Sequence, residues 1–259
     1  MDRVALSAGP ITVYWYSILI FIGILVAIFL ISKEAKRQKI SEDFLINLTF
    51  KVILFGILGA RLYYVIFNFP YYINNIEEVF AIWNGGLAIH GGLIAGLIVT
   101  YISCKKEKIE LLKMLDIIVV GLIIAQAIGR WGNFFNQEAY GSITTIGHLK
   151  ALRLPNFIIE GMYRGGEYRE PTFLYESILC LLGFIIMIII RKKHKMHTGF
   201  FTGFYLIWYG CIRFLIESMR SDSLMIGPIK VAQIVSLIFV IVGLFLIKNK
   251  KKKKKKHKK

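Results

Sequence analysis

Long apolar runs separated by short polar segments fill most of the chain. Seven of these runs approach the roughly 20 residues that an α-helix needs to cross a hydrocarbon core. They cover residues 13–32, 46–67, 87–103, 113–130, 172–190, 200–219 and 228–247. The pattern predicts an all-α polytopic membrane protein, with about seven transmembrane helices in a single transmembrane domain over residues 1–247.

The charge of the connecting segments alternates along the chain. Segments 33–43, 104–112 and 191–198 are basic, whereas segment 68–86 contains no Lys or Arg. Basic loops stay on the cytosolic side of a membrane, so the N-terminus is predicted outside and the C-terminus inside. We therefore expect a multi-pass protein of the bacterial plasma (inner) membrane.

Two segments are predicted to lie outside the bilayer. Segment 131–171 is rich in Gly and Pro and predicts a small loop-rich cap on the outer face. Residues 248–259 are almost all Lys and predict a disordered cytosolic tail that is attracted to anionic lipid head groups. The net charge of +17 comes largely from this tail and from loops that flank apolar runs. It therefore reflects membrane topology, and no nucleic-acid partner is expected.

The three cysteines, Cys104, Cys180 and Cys211, have no paired spacing. Neither a disulfide framework nor a metal site is expected from them. We interpret them as buried structural thiols.

Several polar side chains interrupt the apolar runs although a charge within a bilayer is costly, about 2.5–3.5 kcal/mol on insertion scales. On the predicted topology they all fall at one depth, in the outer leaflet. They are Tyr16, Arg61, His90, Arg130, Tyr175, Glu176, Tyr209, Arg213 and Glu217. This convergence predicts a polar cavity that opens toward the outer face.

The sixth run places Tyr209, Arg213 and Glu217 on one helix face, because they are spaced at i, i+4 and i+8. A structural ion pair explains Arg213 and Glu217. Alternatively, Glu217 orients Arg213 toward an anionic substrate group, and both explanations can hold together.

The segment 129–141 is the densest in polar and glycine residues. Arg130 presents a planar fork that fits a phosphate, and Asn133 and Asn136 offer further donors. These features predict a phospholipid head-group site, with an ordinary polar helix end as the alternative. His90, which precedes two glycines, is either a structural or a catalytic residue on this reasoning.

These segments resemble the prolipoprotein diacylglyceryl transferase family. Residues 130–141 match its signature R-x-G-N-F-x-N-x-E-x-x-G, and residues 209–217 match its YGxxRFxxE element. His90-Gly91-Gly92 matches its HGG element, Gly59-Ala60-Arg61-Leu62 resembles its GAR stretch, and Trp15-Tyr16 matches its first-span WY. The matches occur in family order from the first to the sixth span.

The resemblance implies an enzyme that moves the sn-1,2-diacylglyceryl group of phosphatidylglycerol onto the lipobox cysteine in the signal peptide of a prolipoprotein. A thioether would form and glycerol 1-phosphate would leave, without metal or cofactor. The implied catalytic residues are His90, Arg130 and Arg213. The implied phosphatidylglycerol-binding residues are Arg130, Asn133, Asn136, Glu138, Gly141 and Arg213, and the supporting residues are Tyr16, Arg61, Tyr209 and Glu217.

The chain departs from the family pattern at the start of the fifth span. Glu170 and Phe173 stand where His and Gln are expected, which leaves the roles of these positions open. Two other classes of function fit the sequence less well. A transporter would show inverted repeats and broken helices, and a rhomboid-like protease would need a nucleophilic serine paired with a histidine; the sequence shows neither.

Overall fold

The computed structural model describes residues 3–9, 11–221 and 223–248 of the chain. The predicted lysine tail beyond Lys248 lies outside these residues. In chain order the helices are α1 (Trp15–Arg37), α2 (Glu42–Phe67), α3 (Phe69–Tyr72), α4 (Ile89–Lys106), α5 (Leu111–Asn136), α6 (Ile146–Ala151), α7 (Asn156–Gly161), α8 (Thr172–Lys193), α9 (Phe200–Met219) and α10 (Val231–Lys248). Two short 3₁₀ helices, Ile76–Phe80 and Ile82–Asn84, precede α4.

Short antiparallel strands connect the helices. A hairpin of β1 (Val4–Ala8) and β2 (Ile11–Tyr14) precedes α1. The cap holds β3 (Ile143–Thr144), β4 (Tyr163–Arg164) and β5 (Glu167–Arg169), in the spatial order β3-β5-β4. A second hairpin, β6 (Met225–Ile226) and β7 (Ile229–Lys230), precedes α10.

Six of the described helices, α1, α2, α5, α8, α9 and α10, are long and apolar enough to cross a membrane. Helix α4 reaches 18 residues, but it carries His90 near its start and Lys105 and Lys106 at its end. The predicted all-α polytopic architecture is confirmed, and α4 is the least apolar of its long helices.

Two helix boundaries differ from the predicted spans. Helix α5 continues to Asn136, so the predicted cap 131–171 begins with helix rather than loop. Gly132 does not end the helix because it packs under Tyr16, where a Cβ would lie 3.0 Å from the ring. The helix ends where Gln137 adopts a left-handed φ of 62°. Helix α10 begins at Val231 rather than 228, because the preceding residues form β7.

The described part of the chain divides into two compact units. The first unit comprises the described residues of 1–31 and 115–248, and the second comprises Ser32–Met114. In the second unit, α2 and α4 approach closely at Gly59 and Gly91, where a Cβ on Gly59 would lie 2.8 Å from the Gly91 carbonyl oxygen. Small residues allow such close helix packing where both helices are surrounded by lipid.

The first unit is built around α5, α8 and α9. Their buried side chains form one apolar cluster that includes Ile123, Cys180, Met187, Tyr205 and Ile212. Helix α10 packs on α9 through glycines, since a Cβ on Gly243 would lie 2.6 Å from the Gly203 carbonyl oxygen.

The interpretation of the cysteines as buried thiols holds for two of the three residues. Cys104 and Cys180 are buried, whereas Cys211 is exposed. Cys211 lies on the outward face of α9 together with Leu215, which is 61% exposed. The burial of this thiol was predicted wrongly, because an apolar run does not show which helix face packs inward.

A buried carboxylate holds the start of α9. Asp116 of α5 accepts hydrogen bonds of 2.7 Å from the backbone N–H of Gly199, the backbone N–H of Thr202 and the Thr202 hydroxyl. The first N–H groups of a helix have no partner within the helix, and a negative charge there is favourable. Asp116 therefore ties the start of α9 to α5.

We expect Asp116→Ala to destabilise the protein by about 2–4 kcal/mol, because it leaves buried donors without an acceptor. The thermal unfolding midpoint in detergent measures this loss. Asp43→Ala, which removes an exposed acid from the first turn of α2, is the matched control and should change the midpoint little. Equal midpoints for the two variants would contradict the capping role of Asp116.

Candidate active site

The predicted site residues of the first unit converge where the end of α5, the start of α8 and the later part of α9 meet. The chain leaves α5, forms the cap, and returns to α8 beside the point where it left. The Thr172 hydroxyl at the start of α8 donates to the carbonyl of Ala139, at 2.8 Å. Gly141 forms an antiparallel bridge with Arg220, just after α9. These contacts bring the three helix ends together.

Glu176 lies between the two arginines that were predicted to bind phosphate. Its Oε1 is 2.8 Å from Nη2 of Arg130, and its Oε2 is 3.6 Å from Nη1 of Arg213. The Glu176 side chain is only 3% exposed, whereas each arginine side chain is 20% exposed. One buried carboxylate thus pairs with two guanidinium groups that remain partly accessible.

Glu217 completes the pairing of Arg213. Its Oε2 lies 2.7 Å from Arg213 Nη2, one helical turn away, and its side chain is 3% exposed. The ion pair predicted from the i, i+4 spacing is therefore present. Arg213 has a carboxylate on each of two nitrogens, which fixes the orientation of its planar fork.

Arg130 is held by neutral partners as well as by Glu176. Its Nη1 donates to Asn133 Oδ1 at 3.1 Å, and its Nη2 donates to the Tyr209 hydroxyl at 3.3 Å. The amide of Asn133 in turn donates to Glu138 Oε1 at 2.9 Å. A continuous polar network therefore runs across α5, α8 and α9, from Glu138 to Glu217.

The other predicted residues of this unit surround the network. Tyr16 packs its ring on Gly132, two residues after Arg130 in α5. Asn136 is the last residue of α5. A Cβ on Gly141 would lie 2.9 Å from the carbonyl oxygen of Glu170, so a larger residue would push apart the cap and the start of α8. In the cap, burial raises the pKa of the Tyr140 hydroxyl, which donates to the Gln137 carbonyl.

A crevice opens on this network, and it is too narrow to admit a water molecule. Its lining residues come from α5, the cap, α8 and the end of α9: Arg130, Asn133, Ala139, Thr172, Phe173, Glu176, Ile216 and Arg220. The polar cavity predicted from the depth of the charges is thus largely filled by its own side chains. A phosphate would enter only with a shift of these side chains.

The two remaining predicted residues, Arg61 and His90, belong to the second unit. Arg61 is 6% exposed, and its guanidinium donates to the carbonyls of Glu78, Val79, Gly85 and Gly86. It also lies over the Tyr72 ring, 5.2 Å from the ring centre. Arg61 therefore organises the segment before α4, since its guanidinium donates to four carbonyls of that segment.

His90 is the second residue of α4 and is exposed. Its ring centre lies 6.1 Å from that of Tyr63 on α2. An exposed imidazole is free to exchange protons, as a general base requires.

Sequence reasoning missed three residues of the network and its crevice. Glu176 was noted as a polar residue of the predicted spans but not assigned to the site, whereas the structure places it at the centre. Thr172 and Arg220 line the crevice. The signal for Glu176 was available, because a carboxylate inside an apolar run needs a cationic partner.

The two positions that depart from the family pattern have structural partners here. Glu170 accepts a hydrogen bond from the Tyr175 hydroxyl at 2.9 Å and lies 3.3 Å from His148 Nε2. Phe173 stacks on Phe134, with ring centres 4.5 Å apart. Both residues join the cap to the start of α8.

The site pairs two partly accessible guanidinium groups with two almost fully buried carboxylates. Within the residues that the structure describes, no group of three or more His, Cys, Asp or Glu side chains is arranged to hold a metal ion. Two oriented guanidinium groups instead present donors that match the oxygens of a phosphate.

The chain is similar in sequence to known proteins over nearly its whole length. The sequence model of the prolipoprotein diacylglyceryl transferase family matches residues 3–248. Curated relatives from Streptococcus pneumoniae strains Spain 23F-1, Taiwan19F-14 and JJA are each 48% identical over 248 residues. Each alignment covers 95% of this chain and 93% of the relative, and each relative is named phosphatidylglycerol–prolipoprotein diacylglyceryl transferase. Because the family model and these relatives match nearly the whole chain, and six of the described helices are long and apolar enough to cross a membrane, the chain belongs to the prolipoprotein diacylglyceryl transferase family and is a membrane transferase of lipoprotein biosynthesis.

Proposed function

We propose that the protein transfers the sn-1,2-diacylglyceryl group of phosphatidylglycerol to the lipobox cysteine in the signal peptide of a prolipoprotein. The cysteine sulfur attacks the diacylglyceryl carbon that carries the phosphate. A carbon–sulfur bond forms as the carbon–oxygen bond to phosphate breaks, which gives a thioether and glycerol 1-phosphate. The thiol proton leaves with a base.

The pairing of Arg130 and Arg213 with one carboxylate is the observation that carries this proposal. The departing phosphate gains negative charge as its bond to carbon breaks. Guanidinium donors placed beside that charge lower the barrier to the reaction. Glu176 occupies the space between the guanidinium groups, and the two free oxygens of the lipid phosphate would take over part of its contacts after a shift of these side chains.

Other residues near the two arginines would shape the head-group pocket. We assign Asn133, Asn136, Glu138 and Gly141 to the binding of phosphatidylglycerol, with Tyr16, Tyr209 and Glu217 in support. Asn133 and Tyr209 contact Arg130, and Glu217 contacts Arg213, which supports these assignments. The guanidinium of Arg61 donates to four carbonyls of the segment before α4. We therefore assign Arg61 to the support of that segment and not to the binding of substrate.

The acceptor thiol has an unperturbed pKa of about 8.5, so it must lose a proton to become the nucleophile. His90 is the proposed base because an imidazole titrates near neutral pH. The alternative is that arginine alone stabilises the thiolate. Substitution of His90 distinguishes the two mechanisms.

The orientation in the membrane follows from the basic loops. We propose that the N-terminus lies outside the inner membrane, that the C-terminus lies in the cytosol, and that the site opens toward the outer leaflet. Exported prolipoproteins would meet phosphatidylglycerol there. Both substrates are embedded in the bilayer, so both would reach the site laterally between helices.

The direct test incubates the purified protein, in detergent micelles with phosphatidylglycerol, with a synthetic lipobox peptide. Mass spectrometry of the peptide should show the mass of one diacylglyceryl group on its cysteine. If well-folded protein gives no adduct with phosphatidylglycerol or other phospholipids, the proposal is wrong, and transport of an anionic lipid becomes the better hypothesis.

Arg130→Ala should lower kcat/KM in this assay by about 10²–10³-fold, the loss typical of removing one donor to developing charge. Arg130→Lys should recover only part of the activity, because a lysine keeps the charge but lacks the planar fork. The control is Arg37→Ala, which removes a 53% exposed arginine paired only with Glu34. An Arg130→Ala enzyme as active as this control would rule out the phosphate role.

Glu176→Gln should reduce both activity and stability, since the shape is kept while two guanidinium groups lose their shared counter-charge. We expect the midpoint of thermal unfolding to fall and activity to drop by at least about tenfold, since breaking one partner of a buried ion pair costs several kcal/mol. Glu138→Gln changes the same charge at an exposed residue and serves as the stability control. A Glu176→Gln protein that matches wild type in both measurements would show that the pairing is dispensable.

If His90 is the base, His90→Asn should lower kcat/KM by about 10²–10⁴-fold and change its pH profile, because asparagine cannot accept the thiol proton. His148→Asn, at a second accessible histidine, should leave the profile unchanged. Full activity of His90→Asn with an unaltered pH profile would favour the arginine-stabilised thiolate.

A further inference from the structure

The end of α9 is held by a lysine from outside that helix. Lys230 Nζ donates to the carbonyl oxygens of Glu217, Arg220 and Ser218, at 2.6, 3.0 and 3.4 Å. The backbone N–H of Ser142 donates to the carbonyl of Met219, at 2.7 Å. The last carbonyls of a helix have no partner within the helix, and here four consecutive ones are satisfied from other segments.

The hairpin of β6 and β7 delivers Lys230 to this position. Ile226 pairs with Ile229, and Met225 pairs with Lys230. The two residues between the strands are Gly227 and Pro228, and Gly227 has a φ of 59°. A positive φ at the first turn residue with proline at the second matches a type II′ hairpin turn. The chain therefore reverses at Gly227 and Pro228, and the last residue of β7, Lys230, contacts the end of α9.

The ammonium group suits this place electrostatically. The C-terminus of a helix carries a partial negative charge, so a cation at its last carbonyls is favourable. An ammonium group also has three donors, which match the three carbonyls that it contacts. Lys230 thus sets where α9 stops and how its last turn is oriented.

The turn that Lys230 holds carries part of the site. Glu217, whose carbonyl accepts the shortest of the three bonds, pairs with Arg213 through its side chain. Arg220, whose carbonyl accepts another, lines the crevice together with Arg130 and Asn133. A shift of this turn would move guanidinium groups on one side of the crevice relative to Arg130 on the other.

We infer that Lys230 is a positioning residue for phosphatidylglycerol, acting through the backbone of the last turn of α9. The inference rests on the proposed function, because it assumes that Arg213 and Arg220 face the phosphate of that lipid. Lys230 sets the alignment of these groups and takes no part in the attack by the thiol. Its loss should therefore weaken lipid binding more than the chemical step.

The test compares Lys230→Met and Lys230→Arg with wild type in the transfer assay, with each substrate varied in turn. Lys230→Met should raise KM for phosphatidylglycerol by about five- to tenfold and lower kcat by a smaller factor, because Arg213 also meets the charge of the departing phosphate, while KM for the peptide stays within about twofold. Lys230→Arg, which keeps a cation with several donors, should restore KM. The matched control is Lys248→Met, which removes the same charge from the exposed far end of α10.

A Lys230→Met enzyme with wild-type KM for phosphatidylglycerol would overturn the inference while leaving the proposed function intact. Equal losses in both KM values and in kcat, without recovery in Lys230→Arg, would show a general folding role and would also overturn it.

Hydrogen exchange separates this result from a failure of the proposed function. The amides of Ser142 and Arg220 form bonds at the same helix end, and they should exchange faster in Lys230→Met than in wild type even if no transfer activity is found. Unchanged exchange at these amides would refute the positioning role without reference to activity.

Discussion

The rest of the site depends on one constraint: charges inside an apolar helix bundle persist only with partners at contact distance. A lone guanidinium there would be costly, and a lone carboxylate would become protonated. Arg130 and Arg213 therefore come with Glu176 and Glu217, and each carboxylate is almost fully buried while the arginines keep some exposure. The carboxylates hold the arginines in the bundle, and the exposed part of each arginine remains available to an anion. Binding and stability are coupled through the same four side chains.

The coupling explains why the ends of α9 are tied down with ionic groups. Asp116 accepts hydrogen bonds from the first N–H groups of α9, and Lys230 donates to its last carbonyls. Each charge has the sign that the helix dipole favours at that end. Arg213 and Glu217 lie between these two anchors, so a helix that slides or frays would lose their register with α5 and α8. A bundle that packs mainly apolar side chains against lipid has few other ways to fix a helix along its axis.

Much of the architecture could be predicted, because a run of about 20 apolar residues indicates a membrane-spanning helix whatever its neighbours are. Each apolar run forms a helix, and Arg213 and Glu217, at i and i+4, form an ion pair. Helix ends were less predictable, since α5 continues through Gly132, which packs against Tyr16, and residues 225–230 fold back as a hairpin. The central place of Glu176 depends on which faces of α5, α8 and α9 meet, and periodicity within one helix does not contain that information. The exposure of Cys211 was missed for the same reason. Arg61 shows the converse case. Its predicted depth matched that of the site arginines, but its guanidinium donates to four carbonyls of the segment before α4.

The narrowness of the crevice bears on how a lipid phosphate would reach the arginines. The crevice is too narrow to admit a water molecule, and Glu176 already contacts both guanidinium groups. A phosphate therefore replaces contacts rather than filling an empty pocket, and the net gain is the difference between phosphate and carboxylate as partners. The phosphodiester of the lipid carries one charge on two oxygens, as a carboxylate does, whereas the departing phosphate gains a second charge, so the competition would turn in favour of phosphate as the carbon–oxygen bond breaks. Once the phosphate departs as a free ester, Glu176 can reclaim both arginines, and the same competition that slows entry assists release of the product.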